Sequence, residues 1–154
     1  MLDPVMRAEL VLEEFVPFRL NRLADAVSVN LSEIYRDRFN LEVPEWRVLV
    51  TVGQCHEITA QQIAQSTRMH KTRVSRAVSA LEDRSLLGRT SSNLDGREMR
   101  LHLTRAGERL YEALVPLALE RERRLLSCLS DPQRRAFLAA LRRLEDALEL
   151  RVDG

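Results

Sequence analysis

TAQQIAQSTRMHKTRVSRAVSALEDRSLLGRTSSNLDGREMRLHLT, residues Thr59–Thr104, carries most of the structural information in this chain. Its centre, HKTRVSRAVSALEDRSLL (His70–Leu87), reads as a helix. At about 100° per residue, Val74, Ala77, Val78 and Leu81 fall on one side within roughly a 100° arc. Thr72, Ser75, Arg76 and Ser79 fall opposite, with Arg73 at the edge. One face is built to pack. The other presents short hydroxyls and arginines, the groups that hydrogen-bond base edges and phosphates.

Upstream, Thr59 to Thr67 reads as a short helix opened by a capping box. The Thr59 hydroxyl takes one orphan N–H, and the Gln62 amide reaches back to another. A turn of Ser66, Thr67, Arg68 and Met69 joins it to the second helix, which makes a helix-turn-helix. Downstream the period changes. Gly88 to Ser91 leaves the helix, Asn93-Leu94-Asp95-Gly96 is turn chemistry, and Glu98 to Leu103 alternates polar and apolar as a half-buried strand does. The whole predicts a winged helix-turn-helix with Arg97 at the wing tip. A bare arginine there suits the narrow, electronegative minor groove.

WRVL (Trp46–Leu49), HKTRVSRAV (His70–Val78), Asp95-Gly96-Arg97 and LHLTRAG (Leu101–Gly107) together resemble the MarR family of regulators, over about residues 43–107. The resemblance implies a dimeric DNA-binding repressor or activator released by a small phenolic or other lipophilic ligand. Members usually have Gly after the recognition helix. This chain has Ser85, so the helix must end without the residue that turns left-handed most easily.

Charge distribution points the same way. The 154 residues have a net charge of only +1. Between Thr59 and Arg105, however, nine basic residues face four acidic ones, a surplus of five. The remainder is therefore acidic, and positive charge is concentrated where phosphates would be met. Lys71 is the one lysine of the chain and stands at the start of the recognition helix. Thr72, Arg73, Ser75 and Arg76 are the candidates for base contacts. Ser66, Arg68, His70 and Lys71 are the candidates for phosphate contacts, and Arg97 for the minor groove. Asp95 and Gly96 would shape the wing, Asp95 by bonding it or by holding the Arg97 guanidinium. Arg76 has an alternative partner in Glu82 or Asp83, six and seven residues on, an awkward helical spacing.

Flanking this module, Leu20, Leu23, Val27, Leu31 and Ile34 predict a long amphipathic helix over residues 17–38. Pro44 opens a second helix, through about residue 55, with Trp46, Leu49, Val50 and Val52 facing inward. Val43 is a poor N-cap, which predicts an exposed donor or a partner from elsewhere. After the wing, Thr104 starts another long helix, and Pro116 in its interior should kink or divide it. Ser130 and Gln133 form a further capping box, and Phe137, Leu141, Leu144 and Leu148 make a coiled-coil-like stripe. The fold class is thus mainly α with a small β-hairpin wing. Residues 43–103 form the DNA-binding domain, and residues 1–42 and 104–154 a helical dimerisation region. A monomer folding back on itself is the competing arrangement. The dimer is preferred because one recognition helix and wing give too few contacts for specific affinity.

By the resemblance, an effector pocket lies where the dimer helices meet the DNA-binding domain, with Asn21, Arg22, Ser28, Trp46 and Arg47 as candidate lining. Trp46 as plain core and Arg47 as an interdomain ion pair are the competing roles. Arginine beside an aromatic, with the family's habits, implies an aromatic acid or its thioester as the ligand. The partners are then double-stranded DNA, this effector and a second copy.

Other chemistries fare worse. Three histidines occur without a Ser–His–Asp arrangement or a glycine-rich phosphate loop, so no enzyme and no cofactor are expected. Cys55-His56-Glu57 has metal-ligating residue types, but helical neighbours diverge and no fourth ligand accompanies them. Two cysteines, Cys55 and Cys128, make no disulfide framework. A redox-responsive regulator would need a thiolate favoured by nearby cations. Arg123 and Arg124 stand near Cys128, whose apolar neighbours predict burial. A winged protein-interaction module is the remaining alternative, though it has no need of the basic surplus. The chain shows no charged-then-apolar leader and no apolar run near 18 residues, which predicts a soluble cytoplasmic protein with no membrane partner.

Overall fold

The structure is a computed structural model and describes residues 9–91 and 98–150. In chain order it comprises α1 (Val16–Phe39), α2 (Val43–Cys55), β1 (Ile58–Thr59), α3 (Ala60–Thr67), α4 (Lys71–Asp83), β2 (Leu87–Ser91), β3 (Met99–Leu103), α5 (Arg105–Leu126) and α6 (Asp131–Ala147). It is a mainly helical protein with a small antiparallel sheet in the order β1-β3-β2. The central strand β3 sets Leu101 between Ile58 and Arg89 and pairs Leu103 with Leu87. The two-residue strand β1 was not expected. Ile58 and Thr59 are too short a run to alternate, and they pair because the β2–β3 hairpin offers an open edge beside them.

The core runs through the winged module. Leu41, Val48, Leu49, Val52, Ile63, Val74, Val78, Leu81 and Leu101 are almost wholly buried, and Tyr35 of α1 and Leu114 of α5 join them. Each such side chain stabilises the fold by about 1.5–3 kcal/mol relative to exposure. On α2 the inward set is Val48, Leu49 and Val52, whereas Trp46 and Val50 are half-buried. The helix also begins one residue before Pro44. Glu42 is its N-cap, and the Glu45 carboxylate accepts from the Glu42 N–H at 3.1 Å. Val43 is therefore inside the helix, and the orphan donor has a carboxylate partner.

The recognition helix ends sooner than its periodicity implied, at Asp83. Ser85 adopts a left-handed φ of 57° despite its side chain. The Ser85 N–H donates to the Glu82 carbonyl at 2.8 Å and the Leu86 N–H to Leu81 at 2.9 Å, the paired bonds of a Schellman motif. The next joint is made from the same segment. Thr104 donates its hydroxyl to the Ser85 carbonyl at 2.6 Å, accepts from the Gly107 N–H at 3.1 Å, and gives its own N–H to Leu86 at 3.0 Å. Gly107 packs so closely on the Leu86 carbonyl that a Cβ there would collide with it. Thus the end of α4 and the start of α5 are one bonded corner.

Two further expectations meet the structure. Helix α5 runs through Pro116 without dividing. The Ser130–Gln133 capping box opens α6, with N–H to Oε1 at 2.9 Å. Yet α6 has no buried residue. Leu20, Leu23, Leu119, Leu125, Leu138, Leu144 and Leu148 are all exposed on α1, α5 and α6 or at their ends. The terminal helices do not cover their own apolar stripes within one chain.

Candidate DNA interface and effector pocket

Helices α3 and α4 form the helix-turn-helix. The Thr59 hydroxyl accepts from the Gln62 N–H at 3.2 Å, and Gln62 accepts from the Thr59 N–H at 3.0 Å, closing the capping box that opens α3. Its end is turned by Arg68 in a left-handed conformation, and Met69 is buried beneath the turn. His70 then caps α4, its Nδ1 accepting from the Thr72 N–H at 3.2 Å. An imidazole that accepts at Nδ1 has Nε2 as its N–H donor.

On α4, Val74, Ala77, Val78 and Leu81 are buried, which fixes the helix by its back. Lys71, Thr72, Arg73, Ser75, Arg76 and Ser79 are exposed in front. Arg68 and His70 are exposed beside them, while Ser66 is half-buried and donates its hydroxyl to the Ile63 carbonyl at 3.2 Å. Glu82 does not pair with Arg76. Its two carboxylate oxygens take Nε and Nη2 of Arg89 on β2, the second at 3.0 Å. That bond raises the Arg89 pKa above its ordinary value. Among the described residues, Arg68, Lys71, Arg73 and Arg76 have no ion-pair partner, so a cationic face is left open to an anionic one. Asp95, Gly96 and Arg97, with the Asn93-Leu94 part of the turn, lie outside the described residues.

Helical spacing did not disclose the Glu82–Arg89 pair, because the six residues between them cross from helix to strand. Arg84 was missed for a similar reason: its partners are backbone carbonyls more than forty residues upstream.

Of the five pocket candidates, three gather around Tyr35. Trp46 stacks on its ring with centroids 5.4 Å apart and planes 7° from parallel. Burial raises the Tyr35 pKa, opposed by a hydrogen bond from Ser28 and by the charge of Arg47. Asn21 and Arg22 stand apart on exposed turns of α1, and the Arg22 guanidinium lies 5.5 Å over the Phe18 ring. Trp46 also lines an apolar groove of about 720 Å³ between α1, α5 and α6, with Leu23, Val27, Tyr111, Phe137 and Leu141. Asn21, Arg22, Ser28 and Arg47 are not part of that lining. Cys128 is, and both cysteines are exposed. The burial expected of Cys128 is not found, because it lies in the turn after α5, where its apolar neighbours face an uncovered groove. Among the described residues no group of three or more His, Cys, Asp or Glu is placed to hold a metal ion, and no helix is long and apolar enough to cross a membrane.

A helix-turn-helix, a two-stranded wing and an open cationic recognition face define a DNA-binding winged-helix protein. Comparison with known proteins specifies the family. A model of the MarR family matches residues 39–98. A MarR family transcriptional regulator from Silicibacter pomeroyi DSS-3 is 30% identical, over 91% of this chain and 99% of its own, with a TM-score of 0.79. The chain belongs to the MarR family of transcriptional regulators, which control transcription rather than catalyse a reaction. Two more distant structures share the fold. BpsR of Bordetella bronchiseptica, whose DNA binding is regulated by 6-hydroxynicotinic acid, is 22% identical over 90% of this chain and 99% of its own, with a TM-score of 0.80. The PcaV regulator of Streptomyces coelicolor, solved with its natural ligand, is 21% identical over 92% and 99%, with a TM-score of 0.76. No curated protein matches the chain in sequence.

Proposed function

We propose that this protein is a dimeric, cytoplasmic repressor that binds an inverted-repeat operator and is released from it by a small aromatic acid or its thioester. The observation that carries the reading is the face of α4, where Thr72, Arg73, Ser75 and Arg76 stand exposed over a fully buried back. These four would read base edges in the major groove. Ser66, Arg68, His70 and Lys71 would contact phosphates, and Arg97, shaped by Asp95 and Gly96, the minor groove.

Residues 1–42 and 104–154 would form the dimer around residues 43–103. The exposed leucines of α1, α5 and α6 support this, since a second copy would cover what one chain leaves bare. Ligand control draws support from BpsR, whose regulator is an aromatic acid, and from Ser28, Trp46 and Arg47 gathered around Tyr35. Asn21 and Arg22, exposed on α1, would belong to the same lining by the family resemblance.

Binding of fluorescent DNA from upstream of the protein's own gene, with and without aromatic acids, tests the whole reading. Expected are specific binding and its loss with one of the acids. Absence of any DNA binding would favour a protein-interaction module. A second reading, a redox response through Cys55 or Cys128, is favoured by the exposure of both thiols. In that case peroxide, not an aromatic acid, would release the DNA, and either a Cys55→Ser or a Cys128→Ser variant would resist it.

A further inference from the structure

Two consecutive residues at the end of the recognition helix bond to both of the helices that flank the winged module. Arg84, the C-cap of α4, reaches back to the end of α1, where Nη1 donates to the Asn40 carbonyl at 2.8 Å and Nη2 to the Phe39 carbonyl at 2.9 Å. Ser85, next in the chain, gives its carbonyl to the Thr104 hydroxyl that opens α5. The last carbonyls of a helix have no donor within it, and a cation is favoured beside them by the helix dipole. A planar guanidinium can address two neighbouring carbonyls at once, whereas a lysine ammonium cannot hold that geometry. Among the described residues no carboxylate pairs with Arg84, so its fork is committed to α1.

We infer that Arg84 is a positioning residue that fixes the angle of α4 against α1, so that the helical frame of the dimer sets the spacing at which two recognition helices meet DNA. The inference rests on the dimeric DNA-binding reading above. Arg84 would not itself read DNA. It would act only when both recognition helices are engaged, because a single helix can find a single half-site at any angle to the frame.

The test uses the full-length protein and a duplex that the wild type selects from a random pool. Affinities are measured for this duplex, for a duplex with one half-site only, and for one whose half-sites are separated by an extra base pair. Arg84→Met should bind the half-site within about twofold of wild type and the selected duplex about tenfold more weakly. It should also discriminate less between the two spacings. Arg84→Lys keeps the charge, loses the fork and should behave as Arg84→Met does. Equal losses on half-site and full duplex, restored by lysine, would mean simple attraction to phosphate and would overturn the inference. So would unchanged spacing preference in both variants. If circular dichroism shows that Arg84→Met does not fold, Arg84→Lys decides the matter on the same ratios. A wild type that selects no duplex, or binds as a monomer, ends the DNA-binding or dimer reading and this inference with it.

Discussion

Glu82, on the last turn of α4, grips Arg89 at the base of the wing through both carboxylate oxygens. The recognition helix and the wing are therefore joined by an ion pair as well as by the chain between them. Glu82 is about a quarter exposed and Arg89 nearly half, so solvent screens the pair and its loss should cost only about 0.5–1 kcal/mol. Its effect on DNA should be larger. Glu82→Gln is expected to lower operator affinity several-fold while thermal unfolding shifts by a few degrees at most, as anisotropy and calorimetry together would show. Unchanged affinity would mean the wing needs no such tether.

Ser85 offers a test in the opposite direction. A non-glycine residue in the left-handed region costs about 1–2 kcal/mol, and glycine returns part of that gain through greater freedom of the unfolded chain. Ser85→Gly should therefore stabilise the protein by about 0.5–1 kcal/mol, a rise in Tm of about 1–4 °C. Gly107→Ala, which drives a Cβ into the Leu86 carbonyl across the same corner, should destabilise it. A lower Tm for Ser85→Gly would contradict this account of the helix end.

Arg97→Ala should weaken DNA binding and leave the dimer and its Tm nearly unchanged, since substitutions of exposed residues away from special features usually stay within about 0.5 kcal/mol. Sedimentation, melting and a binding titration on the same preparation separate the two effects. A large loss of stability with unaltered affinity would remove Arg97 from the minor groove.

Salt provides a check on the exposed cations of α4 and of the turn before it, Lys71, Arg73, Arg76 and Arg68. The logarithm of the binding constant should fall linearly with the logarithm of salt, with a slope of about −0.9 for each phosphate neutralised. About three phosphates per subunit would cost several decades of affinity over a tenfold rise in salt. A flat profile would turn attention to a protein partner.

The apolar stripe of α6 makes a prediction about assembly. Replacing Leu141, half-buried in the groove, and Leu144, exposed beside it, with charged residues should give monomers that keep their helical content. These should bind a full operator no better than a half-site. A wild type that sediments as a monomer at micromolar concentration would remove the basis for this expectation.

Much of this architecture was legible because its signals are local. Both threonine and serine capping boxes, at Thr59 and Ser130, are spelled out within four residues, and the buried side of α4 follows from its period. What escaped depends on residues distant in sequence. Strand β1 exists only because β3 arrives beside Ile58. Arg84 finds its partners on α1, and Val48 is buried more deeply than Val50, which packs against the core from its edge, because the packing of α2 between several elements sets its rotation. The same limit applies to the pocket: the family resemblance grouped Ser28, Trp46 and Arg47, yet nothing in it named Tyr35, around which they meet.

Helix α5 contains one residue that cannot contribute to its own ladder. Pro116 has no N–H, so the carbonyl of Glu112, four residues back, lacks the donor that every neighbouring carbonyl has. On the near side, Gly107 and Leu114 are buried in the winged module; on the far side, Leu119 and Leu125 face outward. The missing rung sits between the two. An unbroken rod would carry any tilt of its outer half into the DNA-binding half at full amplitude. A helix with one omitted bond bends more easily at that point than elsewhere, and in this chain the point lies between the exposed outer leucines and the corner that holds α4.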